Sequence, residues 1–153
     1  MIRFLLNLFS RKPKAEFGSI IEELWKPSFK SENKCRFLLE KTGTYDVSIE
    51  EQSLKLLLKH SDLFAWAENP VYRYRDFILE SRLVPGASNG KSSGGFVLRR
   101  AGDLNYYYFL VSPEGRFRFD VVFNGTPRIL IGWTECAPAF EGFDLRIVAR
   151  GSY

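Results

Sequence analysis

The stretches SGGFVLRR at residues 93–100 and NYYYFLVSPEGRFRF at residues 105–119 decide the fold class of this chain. Both are rich in aromatic and β-branched residues, which favour β-strands. Pro113 and Gly115 interrupt the second stretch with residues that form tight turns. The two stretches therefore predict consecutive antiparallel strands joined by short turns.

Apolar and polar side chains alternate along two later segments, residues 116–123 and 143–149. Alternation with a period of two is typical of an antiparallel sheet that buries one face. The predicted core positions are Phe117, Phe119, Val121 and Phe123 in the first segment, opposite Arg116, Arg118 and Asp120, and Phe143, Leu145, Ile147 and Ala149 in the second, opposite Asp144, Arg146 and Arg150.

The same period of two predicts further strands along most of the chain, and turn residues separate them. Asn124 and Gly125 are a strong hairpin signal, and residues 85–94 have the composition of a loop. The pattern favours an all-β fold, an antiparallel jelly-roll β-sandwich. The predicted strands cover residues 35–40, 44–50, 54–59, 71–83, 95–100, 106–112, 116–123, 128–134 and 143–149.

The N-terminal part has a helical rather than a strand-like pattern. Residues 16–26 have apolar side chains at helical spacing, Ser19 and Glu22 resemble a capping box, and Pro27 ends the segment. The predicted organisation is an N-terminal amphipathic segment with a short helix over residues 1–33, and a jelly-roll β-sandwich over residues 34–153.

Residues 1–14 combine a short apolar stretch with basic residues that follow it. Ile2, Leu5, Leu6 and Phe9 share one helical face, which is compatible with a weak membrane contact. A segment docked on a partner and a frayed start are equal alternatives. A signal peptide has its basic residues first and its apolar stretch is longer. A cytoplasmic location is therefore favoured, with no signal peptide or transmembrane segment expected.

Composition excludes several functional classes. The net charge of +4 is spread over 153 residues without a basic run, so no nucleic-acid partner is expected. His60 is the single histidine and is predicted at the surface at a strand end. Cys35 and Cys136 are far apart and lack zinc-ligand spacing, so neither a metal nor another cofactor is expected, while a disulfide between them stays open.

Three strand-like motifs carry a resemblance to a known superfamily. They are GFVLR at residues 95–99, YYYFLV at residues 106–111 and GRFRF at residues 115–119, followed by ILIGW at residues 129–133. In this order they resemble the concanavalin A-like lectin/glucanase jelly rolls, most closely the laminin-G-like and 3-keto-disaccharide-hydrolase-like bacterial domains. The resemblance covers residues 45–153 and implies a jelly-roll fold.

The chain departs from that superfamily in two ways. Family members continue past the position of Gly151 with closing strands, so the sandwich is expected to be incomplete and to pair with another chain through an exposed C-terminal edge. The acidic Glu-x-Asp-x-x-Glu strand of the glucanases is missing. Asp76 and Glu80 lie about 13 Å apart along a strand, too far for paired carboxylate catalysis, and are expected to pair with strand arginines.

The resemblance therefore implies a non-catalytic binding or interaction module that recognises a glycan or a protein partner. We expect no catalytic residues, and the chain is more plausibly a binding protein than an enzyme. The alternatives are a structural domain of a larger bacterial assembly and a glycoside or 3-keto-disaccharide hydrolase-like enzyme. The candidate ligand-binding residues are Arg99, Tyr106, Tyr108, Arg118 and Trp133, because aromatic rings stack on sugars and arginines hold hydroxyl or carboxylate groups. Each also has a structural alternative: sheet packing for the tyrosines, core for Trp133, and ion pairs for the arginines.

Overall fold

The computed structural model describes residues 2–13, 20–71, 73–85 and 92–151. Within them the regular structure is β apart from one short helix, and each ladder of known register is antiparallel. The elements, in chain order, are β1 Ile2–Pro13, β2 Ile20–Trp25, α1 Glu32–Cys35, β3 Glu40–Lys41, β4 Tyr45–Glu50, β5 Ser53–Leu58, β6 Phe77–Pro85, β7 Gly94–Leu98, β8 Tyr106–Ser112, β9 Arg116–Phe123, β10 Thr126–Glu135 and β11 Phe143–Ala149.

The strands form two sheets, and the chain divides into two compact units that follow them. One unit, built around residues 83–143, holds a four-stranded sheet with the order β10-β9-β8-β7. The other, built around residues 3–82 and 144–153, holds a seven-stranded sheet with the order β11-β6-β1-β5-β4-β3, in which β2 pairs with β1. The all-β prediction is confirmed at this level.

The β4–β5 hairpin of the seven-stranded sheet buries one side. Val47 of β4 lies opposite Leu56 of β5, and both are almost fully buried. On the other side, Lys55 pairs with Glu50 at 2.6 Å. Along β6 the alternation is strict, because every second residue is buried: Phe77, Leu79, Ser81 and Leu83. β11 also alternates as predicted, with Phe143 buried and Asp144, Arg146 and Val148 exposed.

The four-stranded sheet has two faces that its register defines, because residues opposite each other in an antiparallel ladder share a face. We call one the aromatic face, formed by Phe96, Leu98, Tyr107, Phe109, Phe117, Phe119 and Val121. The rings of Tyr107 and Phe119 stack on it, with centroids 5.8 Å apart. The opposite face, which we call the carboxylate face, carries Val97, Tyr106, Tyr108, Leu110, Arg118, Asp120 and Val122.

The side chains of β9 alternate between the two faces as predicted, but the face that was expected to be exposed is partly buried. Asp120 and Val122, on the face that was expected to be polar, are 0% and 7% exposed, whereas Phe123 is 54% exposed. The carboxylate face is therefore buried at this point of the sheet. Alternation alone does not show which face is covered, because both faces of β9 carry apolar residues.

Two predicted turns are present with the expected backbone geometry. Asn124 and Gly125 both have positive φ, 50° and 74°, as a type I′ hairpin turn requires. At the β8–β9 connection, the Gly115 N–H donates to the Ser112 carbonyl at 3.1 Å, and Gly115 has φ of 90°. A Cβ at Gly115 would lie 2.5 Å from the Cys136 carbonyl oxygen, so this close approach requires glycine.

The predicted N-terminal helix is wrong where the structure describes it. Residues 20–25 form β2, which pairs with β1 from Pro13↔Ile20 to Leu8↔Trp25. A single short helix is marginal in water, whereas pairing with β1 gives residues 20–25 hydrogen bonds to a neighbouring strand along the segment. Residues 16–19 of the predicted helix, including Ser19, lie outside the described residues.

The helix proposed from Ile2, Leu5, Leu6 and Phe9 is likewise replaced by a strand, because these residues belong to β1. β1 lies between β6 and β5 in the seven-stranded sheet. In the described part of the chain, no helix is long and apolar enough to cross a membrane. Contact of residues 1–14 with a membrane surface stays a prediction.

Two further strand predictions differ from the structure. Residues 35–40 were predicted as a strand, but α1 ends at Cys35 and Arg36 has φ of 62°, a left-handed conformation that a continuous strand excludes. The strand predicted over residues 71–83 begins only at Phe77. Before it, the Asn69 side chain accepts a hydrogen bond from the Val71 N–H at 2.9 Å, a turn that delays the strand.

The β4–β5 hairpin offers a test of backbone strain. Its two turn residues, Glu51 and Gln52, have φ of 48° and 58°, although neither is a residue that favours the left-handed region. Gln52→Gly removes the clash of Cβ with the backbone, and we expect it to raise the free energy of unfolding by roughly 1 kcal/mol. Chemical denaturation measures the change. Gln52→Ala keeps Cβ and is the matched control, and equal stability of the two variants would contradict the strain.

Candidate functional site

The carboxylate face of the four-stranded sheet brings together three of the five predicted ligand-binding residues. Tyr106 and Tyr108 lie two residues apart on β8, and their ring centroids are 6.3 Å apart. Tyr108 lies opposite Asp120 of β9, and Arg118 is two residues before Asp120 on the same face. We call these four residues, Tyr106, Tyr108, Arg118 and Asp120, the tyrosine–carboxylate cluster.

Asp120 is the charged centre of the cluster. Its side chain is completely buried, and its Oδ2 accepts a hydrogen bond from Arg118 Nε at 2.5 Å. The side chain of Arg118 is 26% exposed, so the pair joins an interior carboxylate to a partly accessible guanidinium. The expectation that Arg118 takes part in a structural ion pair is confirmed, and it is compatible with a role in binding.

The second carboxylate oxygen of Asp120 is buried as well. Oδ1 has no hydrogen bond of ordinary geometry among the described residues, although the Tyr108 hydroxyl on the same face acts on the carboxylate as a hydrogen-bond donor. A buried carboxylate needs such partners because it has lost its contact with water. Asp120 therefore orients Arg118 and Tyr108 from the interior, and these two partly exposed side chains are the groups that a ligand can reach.

Burial and the Asp120 carboxylate together raise the pKa of Tyr108. Burial of the hydroxyl, and then the Asp120 carboxylate as a hydrogen-bond acceptor and a negative charge, raise the pKa of Tyr108 to about 12. The positive charge of Arg118 opposes this effect in part. Tyr108 therefore stays a protonated hydrogen-bond donor at every physiological pH.

The other two predicted residues lie outside the cluster. Arg99 follows the last residue of β7 and has φ of 49°, so it leaves the ladder that holds the tyrosines. Trp133 lies on β10 and is 45% exposed, so its predicted alternative as a core residue is wrong. Asp120 was missed as a site residue, since the sequence placed it among the polar positions of β9. Its place two residues after Arg118 is the signal that indicates the pairing.

Asp76 and Glu80, the carboxylates considered for catalysis, both make structural contacts. Glu80 pairs with Arg146 at 3.3 Å, as predicted, and the Asp76 carboxylate accepts a hydrogen bond from the Gly151 N–H at 3.0 Å.

His60 is exposed two residues after the end of β5, which confirms its predicted position. Cys35 is buried, Cys136 is exposed, and both are free thiols. Across residues 20–71, 73–85 and 92–151, no His, Cys, Asp and Glu cluster could hold a metal ion.

A second surface of functional interest lies on β10. All ten residues of this strand are exposed, and β10 is at the end of the four-stranded order. The most prominent side chains are Ile129, Leu130, Ile131 and Trp133, which are 64%, 50%, 43% and 45% exposed. We call these four residues the β10 apolar edge. Two register shifts against β9 interrupt the ladder, between Ile129 and Ile131 and between Ile131 and Thr134.

Comparison with known proteins identifies a distant likeness. The chain is similar to a TPR repeat-containing protein of Treponema pallidum (strain Nichols), with 25% identity over 189 residues, 92% of this chain and 23% of the relative. The chain thus spans about a quarter of the length of this curated relative. A tetratricopeptide repeat is a pair of helices, whereas the described residues of this chain contain one helix of four residues. No family model and no solved structure matches the chain.

Removing one partner of the ion pair should destabilise the protein more than replacing both partners. Arg118→Met leaves the fully buried Asp120 carboxylate without its charged partner, and we expect the free energy of unfolding to fall by about 3 to 5 kcal/mol. The double variant Arg118→Met/Asp120→Leu replaces both charges by apolar groups of similar size and should recover most of that loss. Urea unfolding of the two variants measures the difference. A double variant as unstable as Arg118→Met would contradict the account.

The raised pKa of Tyr108 predicts alkaline instability. The unfolded chain loses this proton near pH 10, while the folded chain keeps it until about pH 12. The folded state therefore binds more protons in this window, and the free energy of unfolding falls as the pH rises from 10 towards 12. Tyr108→Phe should remove this part of the fall, and it should remove a tyrosinate absorbance change near pH 12. An unchanged absorbance titration of the variant would contradict the assignment.

Proposed function

We propose that this chain is a non-catalytic binding module with a lectin-like jelly-roll architecture, and that it recognises a glycan through the tyrosine–carboxylate cluster. The single observation that carries the proposal is that the buried Asp120 holds the partly exposed Arg118 on one sheet face beside the rings of Tyr106 and Tyr108. The antiparallel strands in two sheets support the concanavalin A-like architecture, which remains part of the proposal.

The chemistry of the cluster fits a ligand rich in hydroxyl groups. The Arg118 guanidinium donates hydrogen bonds through the N–H groups that Asp120 does not occupy, and the Tyr108 hydroxyl, which donates to Asp120, accepts them. The rings of Tyr106 and Tyr108 add an apolar surface of the kind that packs against the C–H face of a sugar. A sugar offers both donors and acceptors on adjacent carbon atoms, so it can bind the guanidinium and the tyrosine hydroxyl at the same time.

The experiment compares two tyrosines that are neighbours on β8 but lie on opposite faces. Wild-type protein is titrated with a panel of neutral and uronic-acid-containing oligosaccharides by calorimetry. Tyr108→Phe removes the hydroxyl beside Asp120, and we expect binding to weaken by at least about tenfold, the effect of one lost buried hydrogen bond to a charged group. The measurement requires that the variant melts cooperatively, as the wild type does.

Tyr107→Phe is the matched control. Tyr107 lies on the aromatic face and stacks on Phe119, so its phenylalanine variant keeps the ring and should bind as wild type does. Absence of binding to every sugar in the panel, or equal affinities of the two variants, would refute a glycan site in the cluster.

A second candidate function is that of an interaction domain within a larger protein or assembly. The observation that favours it is the β10 apolar edge, since monomeric soluble proteins rarely leave consecutive large apolar residues exposed on an edge strand. The relative named for TPR repeats supports this candidate, because most of its length lies outside the matched part. A hydrolase function draws no support from Asp76 and Glu80, which are held in structural contacts.

A further inference from the structure

The register of β10 shows which face of the sheet Trp133 shares. Thr134 lies opposite Phe117 of β9, and both belong to the aromatic face. Side chains alternate between the two faces of a strand, so Trp133, the residue before Thr134, turns to the carboxylate face. By the same count it lies opposite Arg118, the residue after Phe117. Trp133 therefore lies outside the tyrosine–carboxylate cluster but on the same face of the sheet.

The register shift next to this residue leads to the same face from the other direction. Ile131 lies opposite Phe119, and both belong to the aromatic face. Gly132, the next residue, therefore turns to the carboxylate face and also lies opposite Arg118. Two residues of one strand against one residue of its neighbour form a β-bulge, a device that often re-aims a side chain.

Gly132 leaves open space on the carboxylate face beside Trp133. A Cβ built on Gly132 would have Ile129 Cγ2 as its nearest contact beyond the adjacent residues, at 3.9 Å, an ordinary van der Waals distance. Gly132 is also not among the described glycines with positive φ. Neither close packing nor backbone conformation within the described residues thus demands a glycine here. A glycine inside a strand often marks a bulge or the close approach of a ligand.

Within β7 to β10, the charges on the carboxylate face cancel. Arg116 and Arg118 carry two positive charges, and Asp120 and Glu135 carry two negative charges. Arg116 lies opposite Glu135, and the fully buried Asp120 is paired with Arg118, so neither sign is in excess. Electrostatic complementarity therefore favours a neutral ligand over an acidic one on this face.

The aromatic side chains of the carboxylate face lie too far apart for one sugar ring. β8 and β10 are two strand spacings apart, about 10 Å, and the rows of Tyr108 and Trp133 are two residues apart, about 7 Å. The backbone separation of Tyr108 and Trp133 is therefore about 12 Å, with Arg118 between them on β9. A single pyranose ring covers one of the two aromatic side chains, whereas a short chain of sugar residues reaches both.

We propose that Trp133 is a second sugar-binding platform, and that the ligand of the carboxylate face is a neutral oligosaccharide that extends from Tyr108 across Arg118 to Trp133. The C–H faces of its outer rings pack on Tyr108 and on the indole of Trp133, and hydroxyl groups between them accept hydrogen bonds from the guanidinium. This inference rests on the proposed glycan function and adds the length and the charge of the ligand.

Calorimetric titration with sugars of increasing length tests the extent of the site. The probes are the mono-, di-, tri- and tetrasaccharides of the neutral sugars in the panel, and uronic-acid oligosaccharides of the same lengths. We expect the association constant of the wild type to rise by at least about tenfold from the neutral monosaccharide to the tetrasaccharide, because only the longer chain contacts both platforms. Equal affinities at all lengths, or tighter binding of the uronic-acid series, would overturn the proposal.

Trp133→Ala removes the second platform. The tetrasaccharide should bind at least about tenfold more weakly, whereas the monosaccharide, held at Tyr108 and Arg118, should bind as it does to the wild type. Ile131→Ala is the matched control, because Ile131 is 43% exposed against 45% for Trp133 but lies on the aromatic face of the same strand. Equal tetrasaccharide affinities of the two variants would refute the role of Trp133.

Tryptophan fluorescence provides a signal that a purely structural role of Trp133 would not produce. The chain has three tryptophans, Trp25, Trp66 and Trp133. Saturating tetrasaccharide should shift the emission of the wild type, and the shift should be lost in Trp133→Phe. A shift that this variant retains in full would contradict stacking of the sugar on Trp133.

The outcomes distinguish this inference from the glycan function on which it rests. If sugars bind and Tyr108→Phe weakens binding while Trp133→Ala does not, the glycan site stands and the second platform is refuted. If no sugar of the panel binds to the wild type, both are refuted.

Discussion

The ion pair between Asp120 and Arg118 is the interaction on which the four-stranded sheet depends. A fully buried carboxylate is tolerated only where a charged or hydrogen-bonding partner compensates for the lost water. Arg118 provides the charge from the same strand, and Tyr108 provides a hydroxyl from the opposite position on β8. A shift of β9 by one residue would carry Asp120 and Arg118 together to the other face of the sheet, away from Tyr108. The contact between Asp120 and Tyr108, which joins two strands, therefore favours the observed register, while the ion pair within β9 compensates the buried charge.

The same interaction sets what the sheet can offer to a ligand. Because Asp120 holds Arg118 through Nε, the guanidinium is oriented while its other N–H groups keep their capacity as donors. The tyrosines beside it are held by backbone pairing rather than by a flexible loop, so a ligand finds an arrangement that is already formed. The β10 apolar edge depends on the ladder in a different way. β9 satisfies one side of β10, and the two register shifts leave its large apolar side chains exposed on both faces.

Much of the four-stranded sheet is predictable from sequence because its signals are local. Tyr106–Ser112 and Arg116–Phe123 are strands with the predicted bounds, as is Phe143–Ala149 in the seven-stranded sheet. The turns at Pro113–Gly115 and Asn124–Gly125 follow from residues that tight turns favour. The N-terminal strands are different. Residues 20–25 have apolar spacing that fits a helix. They form a strand because β1 is available to pair with them, and the local sequence does not show that such a partner exists. The strand predicted at residues 35–40 also fails, because α1 ends at the buried Cys35 and Arg36 takes the left-handed conformation of its C-cap.

The sequence by itself determined the all-β class, most strand positions, and the presence of tyrosines and arginines on the predicted strands. These features depend on strand propensity, on the period-two alternation of side chains and on turn residues, which all act over a few residues. Only the tertiary structure decided which face of β9 is buried, that Asp120 joins Tyr106, Tyr108 and Arg118, and that Trp133 lies on an exposed edge rather than in the core. Burial and edge position depend on which strands become neighbours, and this depends on pairings between residues far apart in the chain.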